Sequence, residues 1–226
     1  MAISVEGGKL ANDIRIHHNL FYDNLGTGIL FGRWGGDGLR KNIRIYNNTL
    51  YHNGYGNPNA GEDYYWITGG LYLFSSNLQG VDIKNNIFSD NQGFQIGYSD
   101  RYLKNAQNID SVFQEKNIRI EYNFLFDKNK LSYPIYVGWA PDNYAKVYQA
   151  KGHHLIEKAP SFINPELGNF YLNRNSPAID NGSAEKMYLD PDGTRNDIGA
   201  FYSQAKQRFW WKTNFPPRFD IKTSPK

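Results

Sequence analysis

The stretch "NIRIYNNTLYHNG", Asn42 to Gly54, decides the fold. Ile43 and Ile45 stand at strand spacing, and Leu50 follows as a further large apolar residue. Asn42, Asn47, Asn48 and Asn53 are set among them. Strands disfavour Asn, whereas turns favour it. A mixture this tight reads as very short strands joined by tight turns, and it predicts that the same mixture recurs.

It does recur. Four segments align without gaps: "IRIHHNLFYDN" from Ile14, "IRIYNNTLYHN" from Ile43, "VDIKNNIFSDN" from Val81 and "IRIEYNFLFDK" from Ile118. Asn occupies the sixth position of each, as Asn19, Asn48, Asn86 and Asn123, and a large apolar residue follows two later, as Phe21, Leu50, Phe88 and Leu125. A further piece succeeds each unit: "GILFG" from Gly28, "GLYLF" from Gly70, "GFQIG" from Gly93 and "PIYVG" from Pro134. The repeat is therefore strand, Asn turn, strand, polar turn, strand and variable loop. Asn-to-Asn spacings of 29, 38 and 37 residues are unequal because loops of different length are inserted at fixed places, as in a solenoid.

Alternation along each strand sorts the faces. Ile14, Ile16, Phe21, Ile29 and Phe31 point inward with Ile43, Ile45, Leu50, Leu71 and Leu73. The outward set is Arg15, Arg44, Asp82 and Arg119 on the first strand, and Leu30, Tyr72, Gln95 and Tyr136 on the third. A β-sandwich does not explain four Asn at one register beside four apolar columns. The reading is all-β: a right-handed parallel β-helix with about four to five coils, an Asn ladder and a C-terminal capping segment. Coils occupy residues 1–160, and residues 161–226 close the last coil and add an aromatic, Pro-rich strap in the same domain. "DSVFQEKN" is expected to form a short helical turn within a loop.

Composition bounds the function. The 226 residues are 40% hydrophobic and 21% charged, which suits a folded chain. A net charge of +3 gives no basis for a nucleic-acid or membrane partner. Cysteine is absent, so disulfides and thiolate metal sites are excluded. The N-terminus "MAISVEGGKL" has no signal-peptide pattern. Aromatic residues make up 16%, which supplies rings able to stack on sugars.

"IRIHHNLFYDNLGTGILF" resembles the pectate-lyase-like superfamily of right-handed β-helix proteins, whose generic repeat reads I-x-I-x-x-N-x-I-x-x-N followed by G-I-x-I. The likeness covers roughly residues 12–139. "SFINPELGNFYLNRNSPAIDNG" with "DPDGTRNDIGAFY" resembles the end of many secreted bacterial β-helix proteins, where it closes the last coil. The resemblance implies a carbohydrate-active protein, secreted or periplasmic in its parent form, with a polysaccharide or oligosaccharide as partner. It also implies a glycan cleft along the third strand. Members usually have more coils and a capped start. A C-terminal portion of a larger enzyme, or a homo-oligomer that buries the open end, is expected.

Candidate site residues follow from that cleft. The loop "GYGNPNAGEDYYWITGG", Gly54 to Gly70, sets Glu62 and Asp63 beside Tyr64, Tyr65 and Trp66. Carboxylates beside stacking rings are what glycoside hydrolysis requires: one acid for the leaving oxygen and one base or nucleophile. A partner carboxylate comes from Asp37 or Asp100. Substrate contacts are expected from Arg33, Trp34, Tyr65, Trp66, Tyr72, Gln95, Arg101, Tyr136 and Trp139. Three functions stay open: a glycoside hydrolase with these carboxylates, a lyase in which Arg33 or Arg101 neutralises a uronate with Ca²⁺ assisting, and a non-catalytic glycan-binding β-helix. No metal ligand set and no cofactor are expected beyond that Ca²⁺. "DPDGTRND", with Asp190, Asp192 and Asp197, is an incomplete calcium pattern better read as tight turns. The five histidines make no pair at zinc spacing, and His52 is read as a hydrogen-bonded turn residue. Trp210 and Trp211 belong to the strap.

Overall fold

The computed structural model describes residues 1–56, 68–100, 109–138, 146–147 (backbone) and 154–203. The chain enters with β1 (Ile3–Val5) and then repeats a three-strand circuit. The first circuit holds β2 (Ala11–Asn12) and β3 (Arg15–His17), then β4 (Leu20–Tyr22) and β5 (Ile29–Phe31). The second holds β6 (Arg40–Tyr46), β7 (Thr49–Tyr51) and β8 (Leu71–Phe74). The third holds β9 (Leu78–Lys84), β10 (Ile87–Ser89) and β11 (Phe94–Ser99). After α1 (Ile109–Lys116), the fourth holds β12 (Ile118–Glu121), β13 (Phe124–Phe126) and β14 (Tyr133–Val137). Strands of one rank stack in parallel register, giving sheets ordered β2/β3-β6-β9-β12, β4-β7-β10-β13 and β1-β5-β8-β11-β14. β15 (Lys146–Val147) adds antiparallel to β14.

Each sheet turns one face to a shared core. Ile16, Ile45, Ile83 and Ile120 enter it from the first sheet, Phe21, Leu50, Phe88 and Leu125 from the second, and Ile29, Leu71, Ile96 and Ile135 from the third. Burying such a side chain contributes roughly 1.5–3 kcal/mol. The inward assignment by alternation therefore stands, and α1 adds Ile109 and Phe113 to the same core.

Sharp corners make the circuit possible, and the sequence supplies residues that tolerate them. The residue before each ladder Asn has positive φ: His18 (55°), Asn47 (53°), Asn85 (56°) and Tyr122 (55°). Asn, Asp and His adopt this region most readily among residues with a side chain. The Asn that follows turns its amide into the coil. Asn86 Nδ2 donates to Ile45 O (2.8 Å) and Asn123 Oδ1 (3.0 Å), while its Oδ1 accepts Asn48 N (2.9 Å). Asn19, Asn48, Asn86 and Asn123 thus bond one another from coil to coil. Buried backbone groups at the corner are satisfied without water.

A second ladder runs along the next corner. Asn24 Nδ2 donates to Asn53 Oδ1 (2.7 Å), Asn53 Nδ2 to Asn91 Oδ1 (2.8 Å), and Asn91 Nδ2 to Gln95 Oε1 (2.8 Å). Gln95 is therefore a ladder member, not an outward cleft residue. The expected register of the third coil was off by two residues: Gly97, not Gln95, lies opposite Tyr72 and Tyr136.

The outer face of the third sheet also differs from the expected open cleft. Leu30, Tyr72, Phe94 and Tyr136 form a buried cluster. Gly97 creates it. A Cβ there would stand 2.6 Å from Phe94 Cε2 and 2.8 Å from Tyr72 Cδ2. The Phe94 ring fills that space, stacked on Tyr136 at 5.4 Å and tilted against Tyr72 at 4.9 Å.

Ile156 bridges to β13, exchanging main-chain bonds with Asn123 and Leu125. Beyond β16 (Phe162–Asn164) and its antiparallel partner β17 (Asn169–Leu172), the chain runs along the flank of the coils. Asn47 Nδ2 donates to Asn196 Oδ1 (3.0 Å), Gly199 N to Asn85 O (2.9 Å) and Ala200 N to Thr49 Oγ1 (3.0 Å). Lys84, almost fully buried, meets Glu185 at 2.6 Å and Glu121 at 3.2 Å. The segment expected to close the last coil thus braces the second and third Asn corners from outside.

Candidate functional site

Four of the described candidate residues, Arg33, Trp34, Asp37 and Asp100, stand at the corner that follows the third strand, in the first or the third circuit. In the first circuit this corner is "GRWGGDG", Gly32 to Gly38. Gly36 (φ 123°) takes a backbone conformation closed to residues with a Cβ. The turn lifts Arg33 and Trp34 outward, and both pack on Phe74 at the end of β8. The Arg33 guanidinium lies 4.3 Å from the Phe74 ring centroid, and Trp34 is tilted against the same ring at 5.8 Å. Trp34 remains 42% exposed.

Asp37 points the other way, into the protein. Arg40, 1% exposed, donates from Nη1 to Asp37 Oδ1 (3.2 Å), Gly38 O (2.7 Å) and Ser75 Oγ (3.1 Å), and from Nη2 to the carbonyls of Gly7 and Gly32. Asp37 also accepts the Ser75 hydroxyl (2.5 Å) and the Ser76 N–H (3.0 Å). Burial alone would raise its pKa. The bonds from Ser75 and Ser76 and the charges of Arg40 and Arg33 outweigh that and hold the carboxyl below the ordinary aspartate range.

Asp100 sits at the matching corner after β11. It accepts the Tyr98 hydroxyl (3.0 Å) and pairs with Lys116 Nζ (3.5 Å). The helical pitch of α1 buries Ile109 and Phe113 in the core, and the helix ends with Lys116 facing the corner. Lys116 Nζ donates to Ser76 O (2.6 Å). A polar chain therefore links Asp37, Ser76, Lys116 and Asp100 across successive coils. Burial first and the neighbouring Asp100 second push the Tyr98 phenol up, so it stays a donor.

Arg33, Trp34, Asp37 and Asp100 thus stand at the corners after the third strands, with the two carboxylates buried and Trp34 exposed. Tyr72 and Tyr136 belong to the buried wall of the third sheet, and Gln95 to the second ladder. Glu62, Asp63, Tyr65, Trp66, Arg101 and Trp139 lie outside the described residues, as do Trp210 and Trp211. Sequence reasoning missed Arg40, Ser75, Ser76 and Lys116. A lone Arg at a strand start carries no mark of burial, and two serines after a strand read as solvent turn.

The other candidates have structural roles. His52 Nδ1 contacts Asp23 Oδ1 (2.7 Å), and its ring stacks on Tyr55 at 4.1 Å. Carboxylate oxygens of Asp180, Asp190 and Asp197 lie within 4.8 Å of one another, with Asp192 outside that group. Two of them accept main-chain donors: Asp180 N and Ser203 N bond Asp197, and Asp197 N bonds Asp190. Those bonds make Asp190 and Asp197 turn anchors.

A family model described as "Right handed beta helix region" matches residues 3–109. Comparison with curated proteins gave no match, and comparison with solved structures gave none. The matched region covers β1 through β11, and the parallel register continues unchanged into β12, β13 and β14. The chain folds as a right-handed parallel β-helix.

Proposed function

We propose that the protein is carbohydrate-active and engages a polysaccharide at the edge of the third-strand sheet. The observation that carries this reading is the Arg33–Trp34–Phe74 surface. It offers a half-open indole backed by a second ring and flanked by a guanidinium. A sugar ring needs an aromatic face for its C–H groups and charged hydrogen-bond partners for its hydroxyls.

On this reading cleavage is hydrolytic. Glu62 or Asp63 supplies one carboxylate and Asp100 the other, one protonating the leaving oxygen and its partner acting as base or nucleophile. Asp37, held ionised by its hydrogen bonds and Arg40, does not suit the proton donor's role. It fixes the turn that carries Arg33 and Trp34. The parent protein then works outside the cytoplasm, secreted or periplasmic.

One observation favours a second reading, glycan binding without turnover: Asp37 and Asp100 are both paired with cations, Arg40 and Lys116. A panel of neutral and acidic polysaccharides separates the readings. New reducing ends without ultraviolet absorbance, lost in Glu62→Gln, Asp63→Asn or Asp100→Asn, are expected for hydrolysis. Absorbance from a new double bond replaces hydrolysis by elimination. Retention without product, weakened by Trp34→Ala, leaves binding alone. Neither product nor retention with any polysaccharide overturns the proposal.

A further inference from the structure

The outer face of the first-strand sheet carries a second feature, independent of the polysaccharide reading. Residues with positive φ stack there from coil to coil: Asp13 (57°), Asn42 (54°), Gly80 (65°) and Asn117 (50°). They bend each circuit before the strand that follows, and the bend leaves a groove of about 350 Å³. Its wall is a column in direct register, Arg15, Arg44, Asp82 and Arg119.

The column is not balanced. Asp82 Oδ2 is committed to Arg119 Nη2 at 2.7 Å. Arg15 and Arg44, exposed and directly opposite each other, make no hydrogen bond or ion pair among the described residues. Like charges opposite one another on adjacent strands, roughly 4.8 Å apart, destabilise the pair. Asp82 Oδ1 is buried with no hydrogen-bond donor among the described residues. Among the described residues the groove therefore holds two guanidinium forks without an anion and one carboxylate oxygen without a donor.

We infer that this groove binds a hydroxyl-bearing oxyanion, with the anionic group bridging Arg15 and Arg44 and the hydroxyl donating to Asp82 Oδ1. Guanidinium forks match carboxylate, sulfate and phosphate oxygens and hold them by paired, charge-assisted bonds. The same chemistry fits an acidic residue of a saccharide chain or a small free anion.

The test is an NMR titration of the full chain at low ionic strength with inorganic sulfate, glucose, glucuronate and glucose 6-sulfate. Glucuronate and glucose 6-sulfate are expected to shift the amides of Asn42, Gly80 and Asn117 and the Nε–H signals of Arg15 and Arg44. Affinity about tenfold above that for inorganic sulfate is expected from the added charged hydrogen bond. Glucose alone produces no shift, and salt weakens every anion. Arg15→Gln with Arg44→Gln, both at exposed positions, removes the response, and Asp82→Ala removes the preference for the sugar anions. Two results overturn the site: no shift of these signals with any anion, or shifts that survive the double arginine variant. Equal affinity for sulfate and the sugar anions overturns the part assigned to Asp82. Transfer of the response to a long acidic polysaccharide identifies a chain as the source, and its restriction to the monosaccharides identifies a small anion.

Discussion

The first and third sheets of the helix have outer faces that obey the same alternation and end up in opposite environments. Arg15, Arg44, Asp82 and Arg119 form a charged column along an open groove. Leu30, Tyr72 and Tyr136 lie at the corresponding outward positions of the third sheet, yet they are sealed with Phe94 into a second small core. Outward from the coil axis is thus not the same as exposed. The difference is set by one glycine. Gly97 leaves a gap in the outward column of the third sheet, and Phe94 folds into it.

That contrast can be broken most severely from the buried side. Phe94→Ala is expected to lower stability by about 3–5 kcal/mol in chemical denaturation, because it empties a site enclosed by Tyr72 and Tyr136. Gly97→Ala approaches the same space from the other direction, and crowding the ring is expected to cost about 1–3 kcal/mol in the same assay. A smaller effect appears at the corner between the two faces. Asp37 has its pKa lowered in the folded protein, so its contribution is present above the unfolded value, about 3.9, and is lost as pH falls through the folded value. Stability measured from pH 5 downward should therefore fall, and Asp37→Asn should flatten that slope. Arg44→Ala, on the open face, is expected to change stability by no more than about 0.5 kcal/mol. A loss there as large as that of Phe94→Ala would erase the distinction between the faces.

Much of this fold is legible in the sequence because the corners demand it. A buried amide must recur at one register in every coil, so Asn19, Asn48, Asn86 and Asn123 stand out even though the loops between them differ in length. The same repeat holds Asn24, Asn53 and Asn91 at its last position, and that second ladder was equally readable. The third coil was misread by two residues for a physical reason. An even slip keeps Ile96 inward, so the pattern gave no warning.

The candidate site was less legible. Charge after the third strand is visible in "GRWGGDG" and "GYSDRY", but its partners are not. Asp37 is held by Arg40, three residues on, and by Ser75, thirty-eight residues on in the next coil. Asp100 meets Lys116 only because α1 returns it to the corner. Which carboxylates are committed to ion pairs depends on stacking, and stacking is not encoded in any one segment.

Oxidative footprinting of the intact protein, read residue by residue by mass spectrometry, tests the contrast between the faces most directly. Trp34 and Tyr22, 42% and 45% exposed, should label rapidly, while Tyr72 and Phe94, at 0%, and Tyr136, at 4%, should stay protected until the protein unfolds. Labelling of Tyr72 and Phe94 at the rate of Trp34 in the folded protein would contradict the account, because the third face would then be open and not sealed.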